Sequence, residues 1–396
     1  MIRFTLLAFV ALGSPGLAQD TQLPGLRAAL LGTRQAPGKV DGPRGGSPQL
    51  TIAKHQLRDW VEFRLKALSS RGDEAEFARL LNAELRSAGL FCGDDAGGET
   101  PCPKWTLLGV LNPMKLFRSP GFLVLQTGVG IECGFDESAY LYSWSDEGWR
   151  RVWQTEQNVY EEKLYQPQTI HKVLVSPYSR TNNYVVLTLG SESWCMSDLH
   201  NVYYRVFRLG PDPGARPLVE GAVWTHIDGD PPIHGSVTVD DVLIEASQLG
   251  GLEGAAFEVI RHYRFDHDNV KRIDPFALCP RDFVYEWLSD EWVQVGSWSE
   301  SANRRTMLDR HEKLKQRTGQ LIYPTMHCPT TPDLWQVGVD FGDQPPIGAP
   351  PKAPLYFLVR WRPPYDFRMV ELSDRPWPQC TEKDRKADEA RTLFPR

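Results

Sequence analysis

Along the chain the apolar positions change period near residue 105, and that change divides the sequence. Between 49 and 91 they recur every three to four residues. Leu57, Trp60, Val61, Leu65 and Leu68 fall on one helical face, and Phe77, Leu80, Leu81 and Leu85 on a second. Residues 69–72 break the run between them. Asp73 with Glu76 three residues on has the form of a capping box, and Gly89 stands where a C′ glycine belongs. The expectation is a helical hairpin over 49–91 that packs on another layer, because two helices alone bury too little to be stable.

From 103 to 375 the period falls to two and the sequence repeats. Val124-Leu125-Gln126-Thr127-Gly128 is followed by Cys133 and by Tyr140-Leu141-Tyr142-Ser143-Trp144. Val186-Leu187-Thr188-Leu189-Gly190 is followed by Cys195 and by Tyr203-Tyr204-Arg205-Val206-Phe207, with the same V-L-x-x-G-x4-C spacing. Val242-Leu243-Ile244 and Val337-Gly338-Val339 begin a third and a fourth copy without the cysteine. Each aromatic strand then runs through a polar turn into a basic residue shortly before an aliphatic one. Tyr184 to Leu189 is almost continuously apolar, as a strand covered on both faces should be. The fold class expected is mainly β with an N-terminal helical hairpin: a propeller-like array of about four units of roughly 60 residues. A β-sandwich or an open β-array is the alternative. A helical insertion at 281–322 precedes the last unit, with Met307, Leu308, His311 and Leu314 along one side of its helix.

The ends read differently. Residues 1–18 have the form of a secretory signal: Arg3, then the apolar run from Phe4 to Leu12, then Gly16-Leu17-Ala18. That run is shorter than the about 20 residues a membrane-spanning helix needs. Residues 19–48 are rich in Gly and Pro and read as a flexible leader, and 381–396 as a charged tail. The chain is therefore expected in the periplasm or secreted, where its seven cysteines become disulfide candidates. Cys92 and Cys102 bracket a Gly- and Asp-rich loop and are the first pairing to expect, and an odd count leaves one thiol over or pairs it between chains.

Composition narrows the function classes. The 44 Lys and Arg against 50 Asp and Glu leave a net charge of −6, without the basic footprint of a nucleic-acid binder. No GxSxG elbow, HExxH pair, phosphate-binding loop or dinucleotide fingerprint occurs. Three places carry candidate chemistry. His226, Asp228, Asp230 and His234 put two imidazoles and two carboxylates in nine residues, a donor set for a divalent metal and a metal-bound water. The plainer reading is a turn, since Asp-Gly and Pro-Pro are loop punctuation. Trp194 and His200 lie in a loop beside Cys195 that has the makings of a ligand cleft, or is simply pinned by a disulfide. Arg150, Arg216, Lys271 and Arg368 recur in the closing segment of each unit. They would form a basic rim for an anionic ligand, or pair with acids such as Glu220, Asp274 and Glu371. The function expected is an exported, non-enzymatic binding or scaffolding protein whose partner is an envelope or extracellular protein or an anionic ligand. An envelope or extracellular hydrolase, metal-dependent at the 226–234 loop, is the alternative.

Overall fold

Three helices open the chain, one more than the apolar pattern predicts. They are α1 (Gln22–Gln35), α2 (Pro48–Leu65) and α3 (Glu74–Ser87). The computed structural model describes residues 22–35, 48–91, 109–131, 134–156, 167–177, 183–192, 199–209, 216–226, 233–250, 255–266, 269–274, 276–315, 321–322, 325–341, 354–363 and 365–383. The 1–18 signal and most of the charged tail lie outside them. The expected flexible leader over 19–48 needs correction, because α1 runs through it. Leu26, Ala29, Leu30 and Thr33 are all buried, an i, i+3, i+4, i+7 stripe that the surrounding Gly and Pro obscure in the sequence.

The ends of α3 follow its local chemistry. The Asp73 side chain accepts from the Glu76 N–H at 3.0 Å, which satisfies one of the orphan donors of the first turn. The second half of the capping box does not form, because the Glu76 carboxylate pairs with Arg79 at 2.6 Å instead. At the other end Gly89 takes φ 68° and the Leu90 N–H reaches back to the Leu85 carbonyl, closing the helix as a Schellman turn. Replacing Asp73 by Ala is expected to lower stability by about 1 kcal/mol in chemical denaturation. An unchanged midpoint would mean that packing alone holds this terminus.

Four antiparallel sheets follow in chain order. The first comprises β1 (Leu111–Ser119), β2 (Phe122–Ile131), β3 (Gly134–Ser145) and β4 (Gly148–Thr155). The second comprises β5 (Gln168–Val175), β6 (Tyr184–Glu192), β7 (Leu199–Leu209) and β8 (Val219–His226). The third comprises β9 (Ile233–Val237), β10 (Asp241–Gly250), β11 (Ala255–Asp266) and β12 (Asn269–Arg272). The helices α4 (Pro280–Ser289), α5 (Trp292–Val295) and α6 (Arg304–Lys315) then intervene. The fourth sheet holds β13 (Leu321–Ile322), β14 (Met326–His327), β15 (Leu334–Asp340), β16 (Leu355–Arg362), β17 (Asp366–Ser373) and β18 (Glu382–Lys383). The sequence repeat supplies the same three strands each time. β2, β6, β10 and β15 carry the Val-rich segment, β3, β7, β11 and β16 the aromatic one, and β4, β8, β12 and β17 close the sheet.

Period-2 alternation gives each inner strand two apolar faces, and the sheets stack through them. Leu123, Leu125, Tyr140 and Tyr142 pack against α1–α3. On the opposite face Phe122, Val124, Leu141 and Trp153 meet Val173, Val186 and Phe207 of the second sheet. The far face of the second sheet, with Val185, Leu187 and Leu189, meets Val242, Ile244 and Val259 of the third. The fourth sheet packs on α4–α6 through Phe283, Trp287, Trp298, Phe357 and Phe367. Of the four residues expected along one side of this helix, Met307, His311 and Leu314 of α6 are buried and Leu308 is half-buried.

The expected propeller ring is not closed among the described residues. The physical reason lies in the first sheet, one face of which is covered by the second sheet and the other by helices, leaving none for the fourth. Cys328 and Cys380 form a disulfide that joins the end of β14 to the connection between β17 and β18 within the fourth sheet. Cys279 is a free, buried thiol. Cys92, Cys102, Cys133 and Cys195 lie outside the described residues, and with them the expected Cys92–Cys102 bridge. Among the described residues no helix is long and apolar enough to cross a membrane.

Candidate functional site

The four basic positions of the predicted rim fall at one place in the topology, the connection from the third to the closing strand of each sheet. Arg150 stands on β4 opposite Ser143, Arg216 just before β8, Lys271 on β12 opposite Arg264, and Arg368 on β17 opposite Arg360. Arg150, Arg216 and Lys271 are exposed. Arg368 is half-buried, donates to the Phe367 carbonyl at 2.9 Å and lies 3.3 Å from Asp366. Lys271 and Arg368 both act on Asp274, one of the acids expected beside them. Burial pushes that carboxyl up, and Arg368 ahead of Lys271 pulls it back. The neighbouring basic residues turn inward: Arg151 pairs with Glu62 of α2 at 2.9 Å, and Arg272 pairs with Glu286 and Asp290.

The two candidate metal histidines stand at the other end of the strands. His226 ends β8, paired in register with Leu199, and His234 is on β9 opposite Glu245. Asp228, Asp230 and the rest of the 227–232 connection lie outside the described residues, as do the side chains of His200 and His226. Trp194 lies outside them too. Asp266 of β11, a further carboxylate on the third sheet's hairpin, is at the opposite end of that sheet, paired with Asn269. Among the described residues no group of three or more His, Cys, Asp or Glu is placed to hold a metal ion.

That same end of the stack contains a cleft that sequence reasoning did not find. One face of the second sheet looks toward the first, and its composition changes half-way along. On β6 the residues facing that way run Tyr184, Val186, Thr188, Gly190 and Glu192. On β7 they run Leu209, Phe207, Arg205 and Tyr203. The apolar half is sealed against the first sheet. The polar half leaves a small cavity of about 20 Å³, room for about one water, between Thr155, Gln168, Ile170, Thr188, Glu192, Tyr203 and Arg205.

Hydrogen bonds hold its walls. Gln168 ties the two sheets together, its amide nitrogen 3.3 Å from the Glu137 and Thr155 carbonyls while its oxygen accepts from Arg205 at 3.4 Å. Tyr203 donates to Glu192 at 2.5 Å. Burial, and then that bond to a carboxylate, push the tyrosine up to about 12. Arg205 is paired with Glu220 at 2.6 Å. Behind the cleft His171 and Ser191 share a 2.9 Å hydrogen bond. Gly190 is required where β5 bulges toward it, since a Cβ there would lie 2.8 Å from the Thr169 carbonyl oxygen. The signal available in the sequence was the switch from apolar to polar at every second residue of β6, continued in register on β7. The 193–198 connection, which includes Trp194, joins the cleft ends of these two strands.

A second polar centre lies between α2 and the first sheet, and it is structural. Lys54 pairs with Asp136, both buried, and the Asp136 carboxylate also accepts from the Gln168 N–H at 3.3 Å. One turn further along α2, Arg58 reaches Glu156 at 3.0 Å, and Tyr140 donates to the same carboxylate. His55 touches Glu156 at 2.8 Å. The sequence matches no known family and no curated protein.

Proposed function

We propose that this is an exported, non-enzymatic binding or scaffolding protein, periplasmic or secreted. Its blade-like sheets, stacked as an open array, carry a basic rim to an envelope or extracellular protein or an anionic ligand. The observation that supports this reading is the sorting of the basic side chains. Arg150, Arg216 and Lys271 are exposed at equivalent hairpins of three sheets, whereas Arg151 beside them is paired with Glu62 of α2 and Arg272 with the buried Glu286. Structural pairing alone would engage both sets. A repeated positive charge at one end of the array favours encounter with negative surfaces, an effect that falls as salt rises. The signal-like 1–18 segment and the Cys328–Cys380 disulfide fit an oxidising compartment.

The test is capture of crosslinked partners from the native envelope by the mature protein and by a variant carrying Arg150→Ala, Arg216→Ala, Lys271→Ala and Arg368→Ala together. The variant is expected to melt within a few degrees of the parent and to lose the captured partner. Capture that survives the four substitutions, or a variant that fails to fold, would overturn the rim reading.

A further inference from the structure

We propose that the seam between the third sheet and α4 is a joint, closed while Asp282 holds its proton and opened when that proton leaves. Core packing marks the place. One apolar core runs through α1–α3 and the first sheet, another joins the first sheet to the second, and another the second to the third. A further core takes in α4–α6 and the fourth sheet. Tyr285 is the α4 residue, among those described, that lies against the core of the third sheet. Where α4 meets β11 the contact is ionic instead. Glu286 of α4 pairs with Arg272 of β12 and lies 3.6 Å from Arg261 of β11, and Asp290, just after α4, pairs with Arg272 as well. Arg272 also donates to the Ile260 carbonyl at 2.8 Å, on the stretch of β11 that β12 does not pair with. Polar interfaces of this kind part more readily than dry apolar ones.

Asp282, one turn before Glu286, is the group in this seam without a match. It is fully buried, and among the described residues neither of its oxygens accepts a hydrogen bond from an N–H or O–H group. From its own turn the Cys279 thiol at the N-cap, a weak donor, and Arg281, with Nε 3.5 Å away, act on it. From β11 Glu258 acts on it as a like charge. The fourth sheet presents Phe357 and Phe367 to α4. α6 presents His311, 2.9 Å from the Trp287 carbonyl, which burial holds below its ordinary pKa. Ionising Asp282 in place leaves a charge in apolar surroundings beside Glu258, and water relieves it when the first turn of α4 parts from β11. Below pH 4 the closed and open forms both hold the proton. From there to about 7, where burial holds Asp282, the open form alone is ionised, so opening becomes easier as pH rises and levels off above. Opening separates the fourth sheet, with Arg368, from the sheets that carry Arg150, Arg216 and Lys271. That consequence rests on the rim reading, and the joint itself does not.

The experiment is amide hydrogen exchange read by mass spectrometry on the full mature chain, parent and Asp282→Asn, at pH 5 and pH 8, with intrinsic rates corrected for pH. In the parent, protection of 280–289 and 258–262 is expected to fall by about tenfold to 100-fold between the two, as the size of the Asp282 shift allows. At pH 8 the seam should exchange at least about tenfold faster than β2 and β6, which open only with the whole fold. In Asp282→Asn the seam should keep its protection. The second readout is alkylation of Cys279 by iodoacetamide, in which the thiolate sulfur bonds to carbon and iodide leaves, located by peptide mass spectrometry. At pH 8 the parent is expected to label about tenfold faster than Asp282→Asn, the difference in open population. Loss of the carboxylate alone would ease ionisation of the thiol and speed labelling of the variant, so the order of the two rates reports access. The proposal is overturned by seam protection that does not change with pH, by an equal fall in Asp282→Asn, by exchange of the seam together with β2 and β6, or by faster labelling of the variant.

Discussion

Replacing Lys54 by Met is expected to cost about 3–5 kcal/mol of folding stability at neutral pH, the range for removing one partner of a buried ion pair. Lys54 and Asp136 are 2% and 0% exposed, and they join α2 to β3 across the seam between the helical layer and the first sheet. Without the ammonium, the Asp136 carboxylate keeps, among the described residues, the Gln168 N–H as its donor and faces Glu156 nearby. Burial already raises the Asp136 pKa above its ordinary value even with Lys54 pulling it down, so loss of Lys54 raises it further. An acid whose pKa is higher folded than unfolded loses stability as pH rises through that interval. The deficit of the variant relative to the parent should therefore shrink on acidification from pH 7 toward pH 5. Urea denaturation at a series of pH values reads this directly. The double variant Lys54→Met with Asp136→Asn should recover most of the loss, because Asn accepts from Gln168 without burying a charge. A pH-independent deficit would show that Lys54 acts by packing rather than by charge.

Asp282→Asn works in the opposite direction and should stabilise the protein at alkaline pH. Asp282 is fully buried in the first turn of α4. The groups around it are the Cys279 thiol, Arg281, whose Nε is 3.5 Å away, and Glu258. Desolvation dominates, and the carboxyl is pushed from 3.8 to about 7. Below pH 4 the folded and unfolded chains both hold the proton, and the group adds no pH dependence. Between 4 and 7 the unfolded chain releases a proton that the folded chain retains, so stability falls as pH rises. The loss levels off above 7, where the three-unit shift amounts to about 4 kcal/mol. Asn carries no such titration. The variant should therefore exceed the parent by up to that amount near pH 8 and match it near pH 4. Parallel stability curves across the range would rule out a protonated Asp282 in the folded protein.

These two carboxylates mark where sequence reading ran out. Asp136 sits in a strand whose alternation marks it only as one polar position among several. Nothing near it in the chain announces that Lys54, 82 positions earlier, neutralises it. Asp282 lies at the start of the 281–322 insertion, and its burial follows from how α4 is wedged between the third and fourth sheets. Tyr140 and Tyr142, two apart on β3, are both buried, and their hydroxyls reach Glu156 and Glu62 at the helix seam, contacts that the strand period does not announce. Trp144, two residues further along that face of β3, is 45% exposed, so the burial ends before the strand does. The candidate site divides in the same way. The 194–200 loop drew attention for its Trp and His, while the walls of the cleft beside it come from Gln168, Thr188, Glu192, Tyr203 and Arg205 on three different strands.

From the sequence alone came what depends on neighbours in the chain. The change of period placed the helices before the sheets, the repeat spacing separated the four β-units, Asp73 and Gly89 bounded α3, and the turn residues placed the closing hairpins. Each of these rests on interactions within a few residues, so local pattern suffices. Only the tertiary structure decided which faces meet. It laid α1–α3 on the first sheet, left the ring open, joined Cys328 to Cys380 across 52 residues, and parted two sheets where their facing residues turn polar. Packing of this kind is set by the fit of surfaces far apart in the chain, and no local pattern encodes it.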